Sequence, residues 1–590
     1  MGLVSVARAD VLEPAFRQTE ILTIPANPQV TAMAWAPDGS NRLFVTGKDG
    51  HLWIVKAGAL LPTPAYRFFP RFQNGELVTT AEAGLVGIAF DPAFVDNHYV
   101  YVMAVLHVPP TSNAIEQQII RFTMHGDTAT ERTTLIAGLP SSGGIHNGGG
   151  PTFGPDGLLY WALGNNGTGL GEGDDLASAA CKVSRATTVV GAPPPPGPFD
   201  DGPGPNYDHT FARGARNPFT MAFHPVTGVA WVNIVGDNFE QIFEVTEGAH
   251  FGYPLENVEP GDGDATTSPI IAYRTGTTMD SAIASAVRAN DLVTITTATA
   301  HRLRKGNTVT IAGVDDASFG GEFSIASVPS PTTFTYAQSA PDTASASGTA
   351  RGATYGRAVL GGAFYDATLF PPAYRQNFFF GDHATGQLVR VETAADHGVA
   401  RVSRFGTQMG EHIDASTGPD GALWLVDHAG AIRRITYDAT SQGIVVSPQN
   451  LRLTETSRGV VGVRLAMAPT TDVAVSLSHA SGSSFVSVPA ITLTFTPANW
   501  ETPQYVEVTS RIDADTVEDI ATLEASASGI PTETVTVRVT DTREPDPSAI
   551  DSAIDAPPER RDSGGCCGTG RSQGTLPLAL LVWCVLRRRA

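Results

Sequence analysis

Apolar and polar residues alternate along most of this chain in short runs, and each run ends in a turn rich in Gly, Pro, Asn or Asp. One phrase of this kind, a turn followed by an aromatic-rich strand, recurs six times within the first 440 residues. The six copies contain the runs LFVTG, YVYVMAV, LLYWALG, AWVNIVG, FFFGD and ALWLVD. Alternation with a period of two marks a strand with one buried face, and repetition of the whole unit marks a propeller. The pattern predicts an all-β protein built on a six-bladed β-propeller. A tandem of β-sandwiches is the alternative, and the uneven spacing leaves the blade count open by one.

One interval between copies is much longer than the others. Residues 277–353 carry strand patterns of their own, such as LVTITTATA and TTFTYA, between edges rich in Ala, Ser, Thr and Gly. We interpret them as a small β module inserted into a propeller loop. The propeller itself is then expected to span residues 21–276 and 354–440.

A different pattern begins after the last copy of the phrase. Residues 445–542 hold about seven short strands, including VAVSLS, YVEVTS and VTVRVT, which predict an Ig-like β-sandwich. The segment resembles Calx-beta-type adhesion modules, with Trp500 as the expected core aromatic residue. An acidic run in this segment is suited to hold Ca²⁺, and an ordinary acidic turn is the alternative. Its members are Asp513, Asp515, Glu518 and Asp519.

Both ends of the chain carry signs of export. The sequence VARAD, at residues 6–10, is typical of the end of a secretory signal, so residues 1–20 are interpreted as a leader remnant, with a frayed terminus as the alternative. Residues 543–590 contain a polar spacer, a Gly-Cys-Cys-Gly sequence, a short apolar run and three terminal arginines. The apolar run of about eleven residues would rise roughly 17 Å as a helix, which is too short for a permanent span. A buried terminal helix is disfavoured by the arginines.

The tail resembles the tripartite C-terminal sorting signals of myxobacterial surface proteins. This resemblance implies an exported protein that is displayed at the cell surface or outer membrane, or released, after transient membrane contact through residues 543–590. Only Cys181 among the four cysteines lies outside the tail, so no internal disulfide framework is expected. The formal net charge of -21 opposes binding to phosphate backbones and excludes nucleic acid as the expected partner.

Candidate chemistry lies in three loops of the predicted propeller. The first contains Glu82 within AEAGLVGIAF, the second contains His146 and Asn147 within GGIHNGGG, and the third contains Arg216 and Asn217 within GARNPF. Loops from several blades converge over the central channel of a propeller, so these residues can share one site. Taken singly, each has an ordinary reading as a turn residue, a solvated carboxylate or a structural clamp.

The sequences of the three loops, taken together, are more specific than any one of the residues. The motifs HNGG-x(3)-FGPDG-x-LY, G-x-RNP-x(3)-AF-x-P-x-TG and GPDGALWLVD resemble those of the glucose/sorbosone dehydrogenase family, over roughly residues 30–437. The resemblance implies a quinoprotein sugar dehydrogenase that holds pyrroloquinoline quinone (PQQ) and Ca²⁺ on a six-bladed propeller. Oxidation of a sugar hemiacetal needs a base for the C1 hydroxyl proton, and imidazole is suited to that role. His146 matches the family's base.

The resemblance also implies where the cofactor and metal would bind. Catalysis is assigned to His146, Arg216 and Glu82. The residues assigned to the cofactor are Arg216, Asn217, Asn147, Lys182 and Arg390. The residues assigned to Ca²⁺ are Gly236, Asp237 and Glu240. The expected partners are a sugar substrate and an external electron acceptor, and a monomer is expected.

Several positions depart from the family pattern. Glu82 stands where well-known members have glutamine, Asp366 follows GGAFY where a basic residue is frequent, and Cys181 replaces a glycine before Lys182. Two added carboxylates would weaken the binding of a polyanionic cofactor unless they bind the metal or nearby cations compensate. A second function therefore stays open: a cofactor-free propeller that binds glycans or a protein partner at the cell surface.

Overall fold

The structure is a computed structural model that describes residues 13–25, 28–167, 173–194, 196–254 and 266–541. The spacer and sorting signal predicted at 543–590 lie outside the described residues, as do the first twelve residues of the expected leader. Among the described residues, helix is confined to short segments. These are the α-helix Phe94–Asn97 and the 3-10 turns Arg71–Gln73, Ala317–Phe319 and Pro372–Tyr374. No helix within these ranges is long and apolar enough to cross a bilayer.

Blades 1, 2 and 3 are antiparallel sheets whose strands follow one another from the channel outward. The strands of blade 1 are Val30–Trp35, Arg42–Gly47, His51–Lys56 and Ala59–Leu60, with Tyr66–Arg67 also beside the third. The strands of blade 2 are Leu85–Phe90, Tyr99–His107, Ile115–His125 and Thr128–Pro140. The strands of blade 3 are Gly149–Phe153, Leu159–Leu163, Lys182–Ala186 and Thr210–Arg213.

Blades 4, 5 and 6 have the same order. The strands of blade 4 are Pro218–Phe223, Ala230–Ile234, Phe239–Val245 and Ile271–Arg274. The strands of blade 5 are Val359–Phe364, Phe378–Asp382, Leu388–Thr393 and Val399–Gly406. The strands of blade 6 are His412–Thr417, Leu423–Asp427, Ala431–Tyr437 and, from the start of the chain, Phe16–Thr23. Each innermost strand packs on that of the next blade, and the sixth packs on the first. The predicted six-bladed propeller is confirmed.

The ring is closed by a strand that the sequence analysis had assigned in part to a leader. Phe16–Thr23 pairs antiparallel with Ala431–Tyr437, so residues 16–20 belong to blade 6. The Phe16 ring packs against Phe370 and Phe405, with centroids 4.8 Å apart in both pairs. Burial of this apolar face holds the first and last parts of the propeller together.

Residues between blades 4 and 5 form a separate sheet of eight strands. They are Met279–Ala289, Leu292–Thr297, Thr308–Ala312, Gly321–Ser324, Ser327–Ser330, Thr333–Ala337, Thr343–Ser345 and Thr349–Gly352. Their apolar side chains share a core with Phe239 and Ala272 of blade 4. The inserted strands are thus packed onto the propeller.

The last described segment is a sandwich of two sheets around one apolar core. One sheet contains Ile444–Ser447, Arg458–Leu465, Val486–Ser487 and Gln504–Ser510. The other contains Asn450–Thr454, Val473–Gly482, Ile491–Phe495, Asp519–Ala527 and Ile530–Thr540. Trp500 packs at the edge of this core rather than at its centre. Assignment of the sandwich to the Ig-like class stays a prediction.

Candidate active site

The loops that lead into the inner strands of blades 2, 3 and 4 meet at one end of the channel, which we call the upper face. Oε2 of Glu82 accepts a hydrogen bond from the backbone N–H of His146 at 2.6 Å. A Cβ placed on Gly164 would lie 2.5 Å from the carbonyl oxygen of His146 and 2.8 Å from that of Arg216. The N–H of Asn165 donates to the same Arg216 oxygen at 2.9 Å. The structure therefore brings the three predicted catalytic residues together.

The ring of His146 is oriented by a neighbour that the motifs did not single out. Its Nδ1 lies 2.6 Å from Oδ1 of Asn165. The N–H of Gly167 donates to that oxygen at 3.0 Å, while Nδ2 of Asn165 donates to the Tyr253 hydroxyl at 2.7 Å. The Gly167 N–H can only donate, so it fixes which end of the amide is oxygen, and Nδ1 of His146 therefore carries the proton. The lone pair of the imidazole is then on Nε2, where a base needs it.

The backbone around His146 explains the glycines of the motif. His146 has a φ of 61°, a left-handed conformation that is uncommon for a residue with a side chain. Its backbone N–H bond to Glu82 helps to hold that conformation. A Cβ on Gly149 would collide with the carbonyl of Phe219 on the neighbouring blade. Glycine there lets the loop lie against blade 4 and keeps His146 close to Arg216.

Arg216 is held at the upper face by blade 4. Its guanidinium donates to the carbonyl oxygen of Val235 at 3.0 Å and forms an ion pair with Asp237. The side chain of Arg216 is 13% exposed and that of Asp237 is 71% exposed, so the pair opens toward solvent on the carboxylate side. Asn217 is buried, and its Oδ1 has no hydrogen-bond partner among the described residues. A buried amide oxygen of this kind is suited to a ligand's donor group.

Two residues assigned to the cofactor have structural contacts within blade 3. Asn147 accepts from the Ser141 hydroxyl at 2.8 Å and donates to the Gly144 carbonyl at 2.7 Å, which fastens the two ends of the His146 loop. Lys182 is completely buried, and its Nζ donates to the Ala180 carbonyl at 2.8 Å. These contacts shape the loops of the upper face.

Two other residues lie elsewhere. Arg390 is on the third strand of blade 5, where it donates to Asn377 at 2.7 Å and pairs with Glu13. The structure does not bring it to the His146 group. Asp366 follows the inner strand of blade 5, at the opposite end of that strand from the upper face, and binds Asn450 of the sandwich at 2.6 Å. It therefore does not add the negative charge that the sequence analysis expected near the cofactor.

The residues assigned to Ca²⁺ do not form one set of ligands. The carboxylate of Asp237, next to Gly236, is committed to the ion pair described above. Glu240 is fully buried and accepts from the Thr275 hydroxyl and the Val359 N–H, both at 3.0 Å. Ca²⁺ needs several oxygens that converge on one point, and these two carboxylates face different partners.

Carboxylates do gather in the sandwich. Oxygens of Glu455, Asp513 and Asp541 lie within 4.8 Å of one another, the one such group found within the described ranges. Burial raises the pKa of Asp541, as do Glu455 and Asp513 through their charge. Only Asp513 of the predicted acidic run belongs to this group. Asp515 accepts instead from the backbone N–H of Val517 in its own turn.

Sequence reasoning missed Asn165 and Tyr253. The available signal was the Asn-Asn pair one residue after the strand Leu159–Leu163, a place where a polar side chain reaches a propeller face. Lys48 was missed as well. Burial lowers the pKa of Lys48, and the nearby charge of Glu82 opposes that shift. This lysine thus adds a cation beside the Glu82 loop.

Comparison with known proteins finds a likeness over part of the chain. The sequence model of the family described as Glucose / Sorbosone dehydrogenase matches residues 27–304. Quinoprotein glucose dehydrogenase B from Acinetobacter calcoaceticus is 29% identical over 252 residues, which are 38% of this chain and 49% of that protein. The uncharacterized protein slr1608 from Synechocystis is 26% identical over 253 residues, which are 40% of this chain and 60% of that protein. The first four blades resemble sugar dehydrogenases.

Solved structures extend the likeness to the whole propeller. A crystal structure of glucose dehydrogenase aligns with a TM-score of 0.50 and 18% identity, and the alignment covers 72% of this chain and 99% of the other. At that identity the alignment supports the propeller fold alone. The sequence matches span 49% and 60% of the length of the two curated relatives.

Proposed function

We propose that this chain is a member of the glucose/sorbosone dehydrogenase family and oxidises the hemiacetal C1 of an aldose or oligosaccharide end to a lactone, with PQQ as cofactor and His146 as base. The observation that carries the proposal is the orientation of His146. Its Nδ1 is held by Asn165, so Nε2 has the lone pair, in a mouth that also contains Arg216. Secretion, surface display and an external electron acceptor are parts of the proposal that rest on the sequence alone.

The chain's own residues supply the proton chemistry. Nε2 of His146 accepts the C1 hydroxyl proton, and the imidazolium that results keeps its Nδ1–H bond to Asn165. The Glu82 carboxylate, fixed on the backbone N–H of His146, stabilises that positive charge. When bound, PQQ supplies the acceptor for the two electrons and the hydrogen that leave C1.

The donor set of the upper face fits a polyanionic quinone. Arg216 and Lys48 supply positive charge for the carboxylates, and Oδ1 of Asn217, which has no partner among the described residues, can accept a hydrogen bond from a donor group of the cofactor. Arg216 would contact a carboxylate of the cofactor, with Asn217 beside it. Asp237 and Glu240 do not form a Ca²⁺ site in their present contacts. We therefore assign no Ca²⁺ ligands, and the test is run both with and without Ca²⁺.

Reconstitution tests the proposal directly. The purified protein is titrated with PQQ, with and without Ca²⁺, and dye reduction is then measured with a panel of aldoses and oligosaccharides. We expect activity that requires PQQ, and a kcat that falls by at least about a hundredfold in His146→Ala, the scale of a lost general base. The affinity for PQQ should change little in this variant, because His146 acts on the substrate.

A matched control is His125→Ala, which removes an imidazole that is exposed on the outside of blade 2. It should leave both PQQ binding and dye reduction unchanged. Absence of PQQ binding with and without Ca²⁺ would reject the enzyme and leave the cofactor-free binding propeller as the remaining function.

A further inference from the structure

Three exposed arginines on the upper side of blades 4 and 5 form no ion pair with any described residue. Arg274 ends the last strand of blade 4, Arg357 lies in the loop that leads into blade 5, and Arg404 is near the upper end of the last strand of blade 5. Exposed arginines elsewhere are often paired with a carboxylate, as Arg351 is with Asp280 at 3.0 Å. Three unpaired cations, which we call the basic surface, thus lie in one region of a chain whose formal net charge is -21.

The backbone brings the three residues of the basic surface next to one another. The Thr354 hydroxyl donates to the Arg274 carbonyl at 2.9 Å, and the guanidinium of Arg404 donates to the Thr354 carbonyl at 3.1 Å. A Cβ placed on Gly276 would lie 2.8 Å from Nε of Arg357, so that side chain lies across the end of blade 4. The segments from the two blades therefore run side by side, and the guanidinium groups of Arg357 and Arg404 are on the order of 10 Å apart, since at most three residues of chain separate their contacts.

The carboxylates closest to the basic surface are engaged below it. Asp382 is fully buried and accepts from the backbone N–H of Arg357 at 2.6 Å. Glu240 is also fully buried and accepts from the Thr275 hydroxyl and the Val359 N–H. The layer that solvent contacts is therefore basic. Because salt screens exposed charges beyond about 8 Å at physiological ionic strength, this layer attracts anions locally even though the whole chain is acidic.

The basic surface is continuous with the mouth that contains His146. Arg216 stands two residues before the inner strand of blade 4, and Arg357 stands two residues before that of blade 5. These inner strands pack on each other, and the Gly362 N–H donates to the Thr220 hydroxyl at 3.4 Å. The loops that carry Arg216 and Arg357 are therefore neighbours around the channel. A chain molecule whose end reaches His146 can extend past Arg216 onto the basic surface.

The spread of the charges indicates the kind of ligand. Guanidinium groups bind carboxylates through charge-assisted hydrogen bonds. Arg404 donates through Nε to Gln387 and through Nη2 to Thr354, which fixes its guanidinium and leaves Nη1 without a partner among the described residues. The three cations lie beside one another rather than around one point, so they suit a ligand that repeats its negative charge along a chain. An oligosaccharide of uronic acids has this property, because each sugar unit carries one carboxylate.

We propose that the basic surface binds the carboxylates of an acidic oligosaccharide, such as an oligouronide, whose reducing end reaches His146. This inference rests on the proposed dehydrogenase function, because it names the class of substrate for the same mouth. Arg357 and Arg404 bind carboxylates of different sugar units, and Arg274 extends the surface outward. The three arginines act on binding rather than on the oxidation step, so they determine specificity.

Binding is measured first without PQQ, so that the result does not depend on turnover. Calorimetric titration of the full chain compares tetragalacturonate with maltotetraose, a neutral tetramer. We expect the acidic tetramer to bind at least about tenfold more tightly and to lose affinity as salt is added, as exposed charges do. Arg357→Gln and Arg404→Gln should each weaken tetragalacturonate binding by about two- to fivefold, the scale of one exposed ion pair, and the double variant by at least about tenfold. Arg511→Gln, which removes one exposed positive charge from the sandwich, is the matched control and should leave both affinities unchanged.

Dye reduction with PQQ then separates this inference from the proposed function. In the wild type kcat/KM should be higher for tetragalacturonate than for maltotetraose, and the double variant should lose that preference through KM with little change in kcat. Equal binding of the two tetramers, or full affinity for tetragalacturonate in the double variant, would overturn the inference. Loss of PQQ affinity in the double variant would overturn it too, since the arginines would then hold the cofactor. Selective binding of tetragalacturonate by a protein without activity would reject the dehydrogenase and support the basic surface as a glycan site.

Discussion

At the scale of single residues, the candidate site depends on how one imidazole is held. His146 has a positive φ, a carboxylate on its backbone N–H and an amide oxygen on its Nδ1. A backbone conformation that is strained but held in place by several surrounding contacts is frequent at functional sites. The sequence could identify His146 because it stands inside a long motif. It could not pair Asn165 with His146, because the two side chains meet only after the loops of blade 3 have folded against each other.

Asn165 is expected to act as a positioning residue for His146. In Asn165→Ala the imidazole loses the partner that holds its proton on Nδ1, so we expect kcat with PQQ and sugar to fall by roughly ten- to a hundredfold, the scale of a lost orienting partner. PQQ affinity should stay within about threefold. Steady-state kinetics and a PQQ titration measure the two effects, and an unchanged kcat would contradict the assigned role.

The variant Asn165→Asp separates positioning from a general structural defect. A carboxylate beside the imidazole favours the imidazolium over the neutral base. Activity should therefore require a higher pH than in the wild type, with the acid limb of the kcat/KM profile displaced upward. A mere loss of folded protein would lower the whole profile without moving that limb.

At the scale of elements, the repeated phrase of a turn and an apolar strand was enough to predict the blades but not the way the ring closes. The six apolar runs coincide with the second strand of each blade, and these strands, such as Leu159–Leu163 and Leu423–Asp427, are buried on both faces. The outer strand of blade 6 lies at the other end of the chain, and its burial is visible only when Phe16–Thr23 is paired with Ala431–Tyr437. Local pattern cannot show a pairing over such a separation, so this strand was mistaken for part of a leader.

Removal of the Phe16 ring should weaken that closure. The ring contacts Phe370, Phe405, Tyr374 and Tyr437. Phe16→Ala is therefore expected to lower the free energy of unfolding by about 2–4 kcal/mol, somewhat less than for a fully enclosed ring. Chemical denaturation monitored by circular dichroism measures the loss.

The control for this prediction is on the same strand. Thr19→Ala changes an exposed side chain of Phe16–Thr23 and should alter stability by no more than about 0.5 kcal/mol. Equal effects of the two substitutions would mean that the strand is held by its backbone ladder rather than by the aromatic contacts.

At the scale of the whole molecule, the sandwich is part of the propeller's structure rather than a separate appendage. Its alternating strands were predictable, but its position on the propeller was not, because many of the contacts are single polar pairs such as Arg375 with Glu533 and Arg458 with Asp96. Such pairs leave no periodic trace in a sequence. Asp366, which was expected in the cofactor pocket, instead contacts Asn450 of the sandwich.

A buried arginine between the sandwich and the propeller offers a test of whether the two parts unfold together. Arg464 belongs to the sandwich and donates to the Asp420 carbonyl of blade 6 at 2.6 Å. Arg464→Ala leaves that buried acceptor without its partner, a loss of about 1–3 kcal/mol. If propeller and sandwich open together, hydrogen exchange measured by mass spectrometry should accelerate in both, including the propeller strand Leu423–Asp427.

The control is Arg511→Ala, a change of an exposed side chain in the sandwich, which should accelerate exchange only in its own loop. Faster exchange confined to the sandwich in Arg464→Ala would show that the two parts open independently.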